Sequence, residues 1–223
     1  MNARHASREL ALLTLYQLDR QGLLNVANMD RATIEDLILN AVRALVNDAQ
    51  EQIESAARDL ASVSRSLLEY EMDHPDNLKT PIDEPSKPVP VPNTREMISQ
   101  IERCLQASEW LHEACRLPEM SALSKHPEVR EYAIKVVQLV LKHQTELDEK
   151  LNTVSTEWRV DRMNKMDQYI LRIAAVEMLH IKEVDTAVTV DEAVELAKQY
   201  SEEDSFRFVN GVLGGLAGKP VEA

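Results

Sequence analysis

From Thr33 onward the apolar residues recur at intervals of three, four and seven: Ile34, Leu37, Ile38, Ala41, Leu45, Ile53, Ala56, Leu60, Val63 and Leu67. A helical period of 3.6 gathers these positions on one stripe, whereas a strand would need strict alternation. A seam of roughly five heptads has to be covered by another helix. Thr33-x-x-Asp36 resembles a capping box at its start. This pattern alone points to an α-helical protein with at least one long helix.

The rest of the chain has the same character. Ser7 to Asp19 places Ala11, Leu12, Leu15 and Leu18 on one face, and Gly22 ends the run. A helix is expected from about Thr94 to Arg116, with Pro118 breaking the pattern. Pro127 suits the first turn of a further helix that reaches Val154. Three shorter helices follow: about Arg162–Leu179, a second opened by the capping box Thr189-x-x-Glu192 and ending near Tyr200, and a third capped by Asp204 or Ser205. Six of the nine prolines fall within 75–92, so the segment 73–93 reads as an extended loop without a core of its own. Aromatic residues make up 4% of the chain, too few for a typical β-sandwich or barrel. The expected fold class is all-α.

Charge narrows the functional classes. Of 223 residues, 38 are acidic and 25 basic, for a net −13. A surface this acidic repels nucleic acid at long range, so any RNA contact must be local. The first 21 residues are the least hostile place. No apolar run approaches the ~20 residues that span a bilayer. Two cysteines cannot form a disulfide framework, and no apolar stretch follows the N-terminal arginines, so a cytoplasmic setting is expected.

Candidate chemistry is sparse. Three Glu-x-x-His pairs occur, Glu71/His74, Glu109/His112 and Glu177/His180, and di-iron bundles use two such pairs plus two further glutamates. Those further glutamates do not suggest themselves, and chance in a glutamate-rich chain explains the pairs better. His112-Glu113 lacks the second histidine of a zincin helix, because Arg116 stands there. Cys104 and Cys115 lie three turns apart on one expected face, too far to bridge, and read as packing residues. No phosphate loop or nucleophile elbow is present. Asn210-Gly211 and Gly214-Gly215 read as points of close helix approach. Two spots remain. Arg4 and Arg8 stand one turn apart near the N-terminus, where plain solvation is the bland account. Phe206-Arg207-Phe208 contains the only two phenylalanines; on one helix they point to opposite sides, so one is expected to be exposed beside the arginine, as stacking on single-stranded RNA requires.

The segment Thr189-Val190-Asp191-Glu192-Ala193-Val194-Glu195-Leu196-Ala197-Lys198, followed by Glu203-Asp204-Ser205 and Arg207-Phe208-Val209-Asn210-Gly211-Val212-Leu213, resembles the C-terminal signature of the NusB family. Ile170-Leu171-Arg172-Ile173-Ala174 with Glu177, and Arg8-Glu9-Leu10-Ala11 leading to Leu15-Tyr16, match as well. The resemblance covers 1–21 and about 126–217. It implies two small helical bundles forming an RNA-binding domain from 1–21 and 126–217, with 22–125 as a helical insertion of the long, cyanobacterial type. It also implies a transcription antitermination factor, not an enzyme and without cofactor or metal. Such a factor binds boxA-type single-stranded leader RNA of ribosomal RNA operons together with NusE, a small-subunit ribosomal protein, and joins an RNA polymerase antitermination complex.

Carried over by position, Arg4, Arg8 and Tyr16 would lie on the RNA side. Arg207 and Phe208 would complete it, with Phe206 uncertain and Asp204 tempering affinity. Asp167 would face NusE. A different class of reading is a helical scaffold or assembly protein that uses the heptad helix for partner binding.

Overall fold

The computed structural model describes residues 3–23, 29–79, 81, 84–85, 87–90, 93–114, 122–155 and 159–218. Its helices are α1 (Ala3–Arg20), α2 (Arg31–Asp73), α3 (Thr94–Ala114), α4 (Pro127–Val154), α5 (Lys165–Val176), α6 (Thr186–Tyr200) and α7 (Ser205–Leu216). A 3₁₀ turn spans Val160–Arg162, and a π-helical turn, Glu177–Ile181, continues α5. Among the described residues there is no strand, and no helix is long and apolar enough to cross a membrane.

The chain divides into two compact units, 1–43 with 119–223, and 44–118. The first third of α2 therefore belongs to the larger unit, where Ile34, Leu37 and Ile38 enter the core. The division differs from the expected insertion at 22–125 by leaving this stretch with the body.

In the larger unit α5 is central: all ten residues from Asp167 to Val176 are buried. Such a helix shows no polar face because α4, α1, α6 and α7 all pack on it. α1 is buried almost as fully, with Ala6, Leu10, Ala11, Leu12, Leu15 and Leu18 at or near zero exposure. Gly22, at φ +69°, takes the left-handed conformation that stops α1.

Helix starts follow the physics of capping but not always at the expected residue. α2 opens at Arg31, and Thr33, inside the helix, donates its hydroxyl to Asp30. α6 opens at Thr186 under Asp185, whose carboxylate accepts from the Ala187 amide. Thr189 and Glu192, expected to cap it, sit further along and are used elsewhere. Asp204 flanks α7 without a side-chain cap, its carboxylate turning to Arg207 at 3.3 Å. Of the paired glycines only Gly215 marks a close approach: a Cβ there would stand 3.2 Å from Val154 Cβ, whereas Gly211 and Gly214 have nothing within 4 Å.

In the smaller unit α3 runs back beside α2. The seam is built from small residues, with Ala49, Ala56, Val63 and Ala107 buried, and Arg103 reaches Asp59 at 3.2 Å. Ile53, Leu60 and Leu67 of the heptad stripe stay 37–44% exposed. The proline-rich segment is not free of packing: Asn77 is buried and its amide bonds the Glu71 and Lys87 carbonyls, while the Lys87 amide donates back to it at 2.9 Å. Cys104 is half-buried; Cys115 and Arg116 lie outside the described residues.

Candidate nucleic-acid and partner interface

The two N-terminal arginines have opposite fates. Arg4 is about half exposed, its guanidinium 3.9 Å above the Tyr132 ring and 3.9 Å from Glu183. Arg8, one turn later, is 2% exposed. Its Nε donates to both oxygens of Glu177, at 2.9 and 3.1 Å, and its Nη1 lies 3.4 Å from Glu192. A solvated Arg8 in direct reach of a phosphate is therefore corrected: its charge is already committed inside the protein. A one-turn separation leaves Arg4 at the helix tip and turns Arg8 under it, onto α5 and α6.

Glu177 is the hub. Besides Arg8 it accepts from the Tyr132 hydroxyl at 2.7 Å and the Thr189 hydroxyl at 3.1 Å. Buried carboxylates persist only with this kind of compensation. Burial, followed by the bond to Glu177, raises the Tyr132 phenol above its ordinary value of 10.0 and keeps it protonated. Glu192 accepts a hydrogen bond from or pairs with His5 Nδ1 at 2.7 Å. The Thr189-x-x-Glu192 pair thus works as the wall of an ion cluster that fastens α1 to α6. Further along α1, Glu9 Oε1 accepts from Gln199 at 2.9 Å and from Tyr200. Tyr16 follows His5 and Glu9 at helical spacing on that face, half-buried against the core.

α6 leads from this cluster to the second spot. The Phe206 ring has Lys198 Nζ 5.8 Å and the Arg207 guanidinium 5.4 Å from its centroid. Both separations fall within cation–π range. Arg207 is itself 76% exposed. The expectation that one phenylalanine is core and the other exposed is corrected, because Phe206 and Phe208 are both half-buried against the core. Lys198, Tyr132 and Lys135 join the basic and aromatic groups without having been singled out. Lys198 stands in the signature segment, whereas nothing in the spacing marks Tyr132 or Lys135, because pairing through space is invisible to it.

Phe208 also borders an acidic cleft of about 600 Å³ lined by Arg162, Asn164, Asp167, Glu202, Glu203 and Asp204. Asp167 is 5% exposed. One of its oxygens accepts from the Ser205 hydroxyl at 3.1 Å, and Oδ1 has no hydrogen-bond partner among the described residues.

Of the Glu-x-x-His pairs, Glu177 turns to Arg8, Tyr132 and Thr189, and the His112 side chain lies outside the described residues. His180 instead stacks on His143, with centroids 4.0 Å apart and planes 26° apart, and Glu146 stands 2.9 Å from His143 and 3.6 Å from His180. These three could in principle offer metal ligands. Nearly parallel rings direct their in-plane lone pairs side by side, so the resting geometry is that of a stacked pair sharing a carboxylate.

The fold defines an all-helical protein without a strand among the described residues, with exposed cations near the starts of α1 and α7, at Arg4 and Arg207. The NusB family model matches residues 92–217. Similar relatives, each named transcription antitermination protein NusB, come from cyanobacteria. That of Gloeothece citriformis is 36% identical over 211 residues, covering 94% of this chain and 91% of its own length. That of Cyanothece sp. is 37% identical over 216 residues, covering 96% and 93%. NusB of T. maritima, a solved structure, is 28% identical over 50% of this chain and 78% of its own, at a TM-score of 0.42. The chain belongs to the NusB family and is a transcription antitermination factor. The alignments with the cyanobacterial relatives run nearly end to end, so those proteins share the long form. The scaffold reading is not favoured as the protein's function.

Proposed function

We propose that this factor binds boxA-type single-stranded leader RNA of ribosomal RNA operons through α1 and α7, together with the basic ribosomal protein NusE, within an RNA polymerase antitermination complex, by binding alone and without catalysis. The observation that carries the reading is the Lys198–Phe206–Arg207 arrangement beside Phe208: cations and ring faces together are what base stacking and phosphate contact need. Arg4 supplies the second cationic point, and Tyr16 adds a half-buried ring on α1. Arg8 acts from inside, holding α1 against α6 so that Arg4 and His5 keep their places.

The acidic cleft is the complementary half. Asp167, with an unpaired buried oxygen, and the carboxylates of Glu202, Glu203 and Asp204 suit a lysine- or arginine-rich partner. A basic partner would also offset the charge that repels RNA.

The test is a fluorescence-anisotropy titration of boxA RNA with the factor–NusE pair. Arg207→Ala and Arg4→Ala should each weaken binding and lower the salt slope by about one. Phe208→Ala should cost affinity at unchanged slope, and Asp167→Asn should weaken capture of NusE without RNA. Binding and slope that stay put in both arginine variants would move the RNA site elsewhere.

A further inference from the structure

Among the described residues, one group brings three metal-ligating side chains together: His143, Glu146 and His180, each with a ligand atom within 4.8 Å of the other two. His143 and Glu146 stand three apart on α4, a spacing that makes them neighbours on the helix surface. His180 arrives from the π turn that continues α5. That turn is wider than an α turn, so Glu177 enters the buried cluster with Arg8 while His180, three residues on, faces α4. His180 Nε2 is buried and makes no hydrogen bond among the described residues. With the ring proton on Nδ1, this nitrogen is an uncommitted lone pair, and a buried polar atom without a bond calls for an occupant such as an ion.

We infer that these three side chains bind a divalent ion of borderline softness, Zn²⁺ in the first place, through His143 Nδ1, His180 Nε2 and a Glu146 oxygen. Ligand atoms at about 2.0–2.1 Å from a tetrahedral ion stand about 3.3 Å from one another. Glu146 Oε2 stands 2.9 Å from His143 Nδ1 and 3.6 Å from His180 Nε2, on either side of that value. The donor set selects the metal: imidazole nitrogens suit Zn²⁺, whereas Mg²⁺ and Ca²⁺ take oxygen ligands. The Glu146 side chain is 49% exposed, which leaves the fourth position to water. One adjustment is required. The stacked rings set their lone pairs nearly side by side, so one ring turns about its Cβ–Cγ bond, a torsion with broad minima in histidine. His180 Nε2 lies close to that axis, so the atom barely moves while its lone pair swings round. Once bound, the ion ties α4 to the turn that carries Glu177. None of the three ligands belongs to the proposed RNA or partner surface, so this inference stands or falls independently of that reading.

Calorimetric titration of the full, metal-free chain with Zn²⁺ tests it. The expected result is one ion per chain with a dissociation constant of about 10 µM or tighter, and no competition from Mg²⁺ at about 1 mM. Zn²⁺ at about a hundred times that constant should raise Tm by roughly 5 °C or more. Glu146→Gln keeps the shape of a half-exposed side chain and should weaken Zn²⁺ binding about tenfold or more, with far-UV circular dichroism unchanged. His180→Gln should cost at least as much. In long-range ¹H–¹⁵N spectra of the unaltered chain, the His143 and His180 rings should shift with the first equivalent while the other four histidines stay put, a reading that needs no variant to fold. Three outcomes overturn the inference. Absence of binding up to about 100 µM Zn²⁺ leaves a stacked pair and nothing more. Equal competition by Mg²⁺ reduces the effect to diffuse attraction by an acidic surface. Affinity indifferent to both variants, or shifts confined to other histidines, assigns an adventitious ion held elsewhere.

Discussion

Arg8 sits where an arginine is rarely found, fully enclosed and facing two glutamates. The stabilising value of such a cluster lies less in its Coulomb energy than in what its loss leaves behind, because a lone buried carboxylate has no water to turn to. Arg8→Ala should therefore lower unfolding free energy by about 3–5 kcal/mol in a denaturant titration. The double variant Arg8→Met/Glu177→Leu should recover at least half of that. A single variant within about 1 kcal/mol of the parent would show that water already solvates the site. Tyrosines extend the same logic to pH. The Tyr132 and Tyr169 phenols are both raised, chiefly by burial. Folding favours their protonated forms, so their contribution is intact below the ordinary value of 10.0 and is lost as pH rises past it. Of five tyrosines, two should ionise at 295 nm only together with the loss of helical ellipticity at 222 nm. Five that ionise before the helices melt would contradict the burial of these rings.

Elements show how local signals are reassigned by their surroundings. Thr189-x-x-Glu192 has the form of a capping box, yet Asp185 caps α6 and the pair is spent on Glu177, His5 and Arg8. Sequence spacing marks both uses identically. The glycines of α7 behave likewise: three stand at helical spacing, and one touches a neighbour. Gly211→Ala and Gly214→Ala should each stabilise by roughly 0.5–1 kcal/mol, the helix propensity difference, since open space receives the methyl group. Gly215→Ala must push Val154 aside and should gain nothing or lose stability. Thermal melts of the three variants read this directly, and equal shifts for all three would mean that α7 and α4 are further apart than 3.2 Å allows.

At the scale of the whole molecule, the net charge of −13 is the fact every partner meets first. On the proposed reading it weakens RNA binding by the isolated factor and favours a basic partner, so the two partners should bind cooperatively. RNA affinity measured with and without NusE should differ by tenfold or more near physiological salt, and the gap should narrow as salt rises. An affinity that NusE leaves unchanged would separate the acidic cleft from RNA binding.

The amino-acid sequence on its own determined the all-α class, the long α2, the proline-rich interruption and the family signature, because periodicity and turn chemistry are local and survive without the fold. Arg207, Phe208 and Arg4 stood out as candidates for the same reason, in short motifs at helix ends. Only the tertiary structure decided that Arg8 faces inward, that Phe206 shares its ring with Lys198 and Arg207, and that Leu60 and its neighbours stay bare. Each depends on which helix lies opposite. That choice is set by packing among residues far apart in the chain, and no spacing along one segment encodes it.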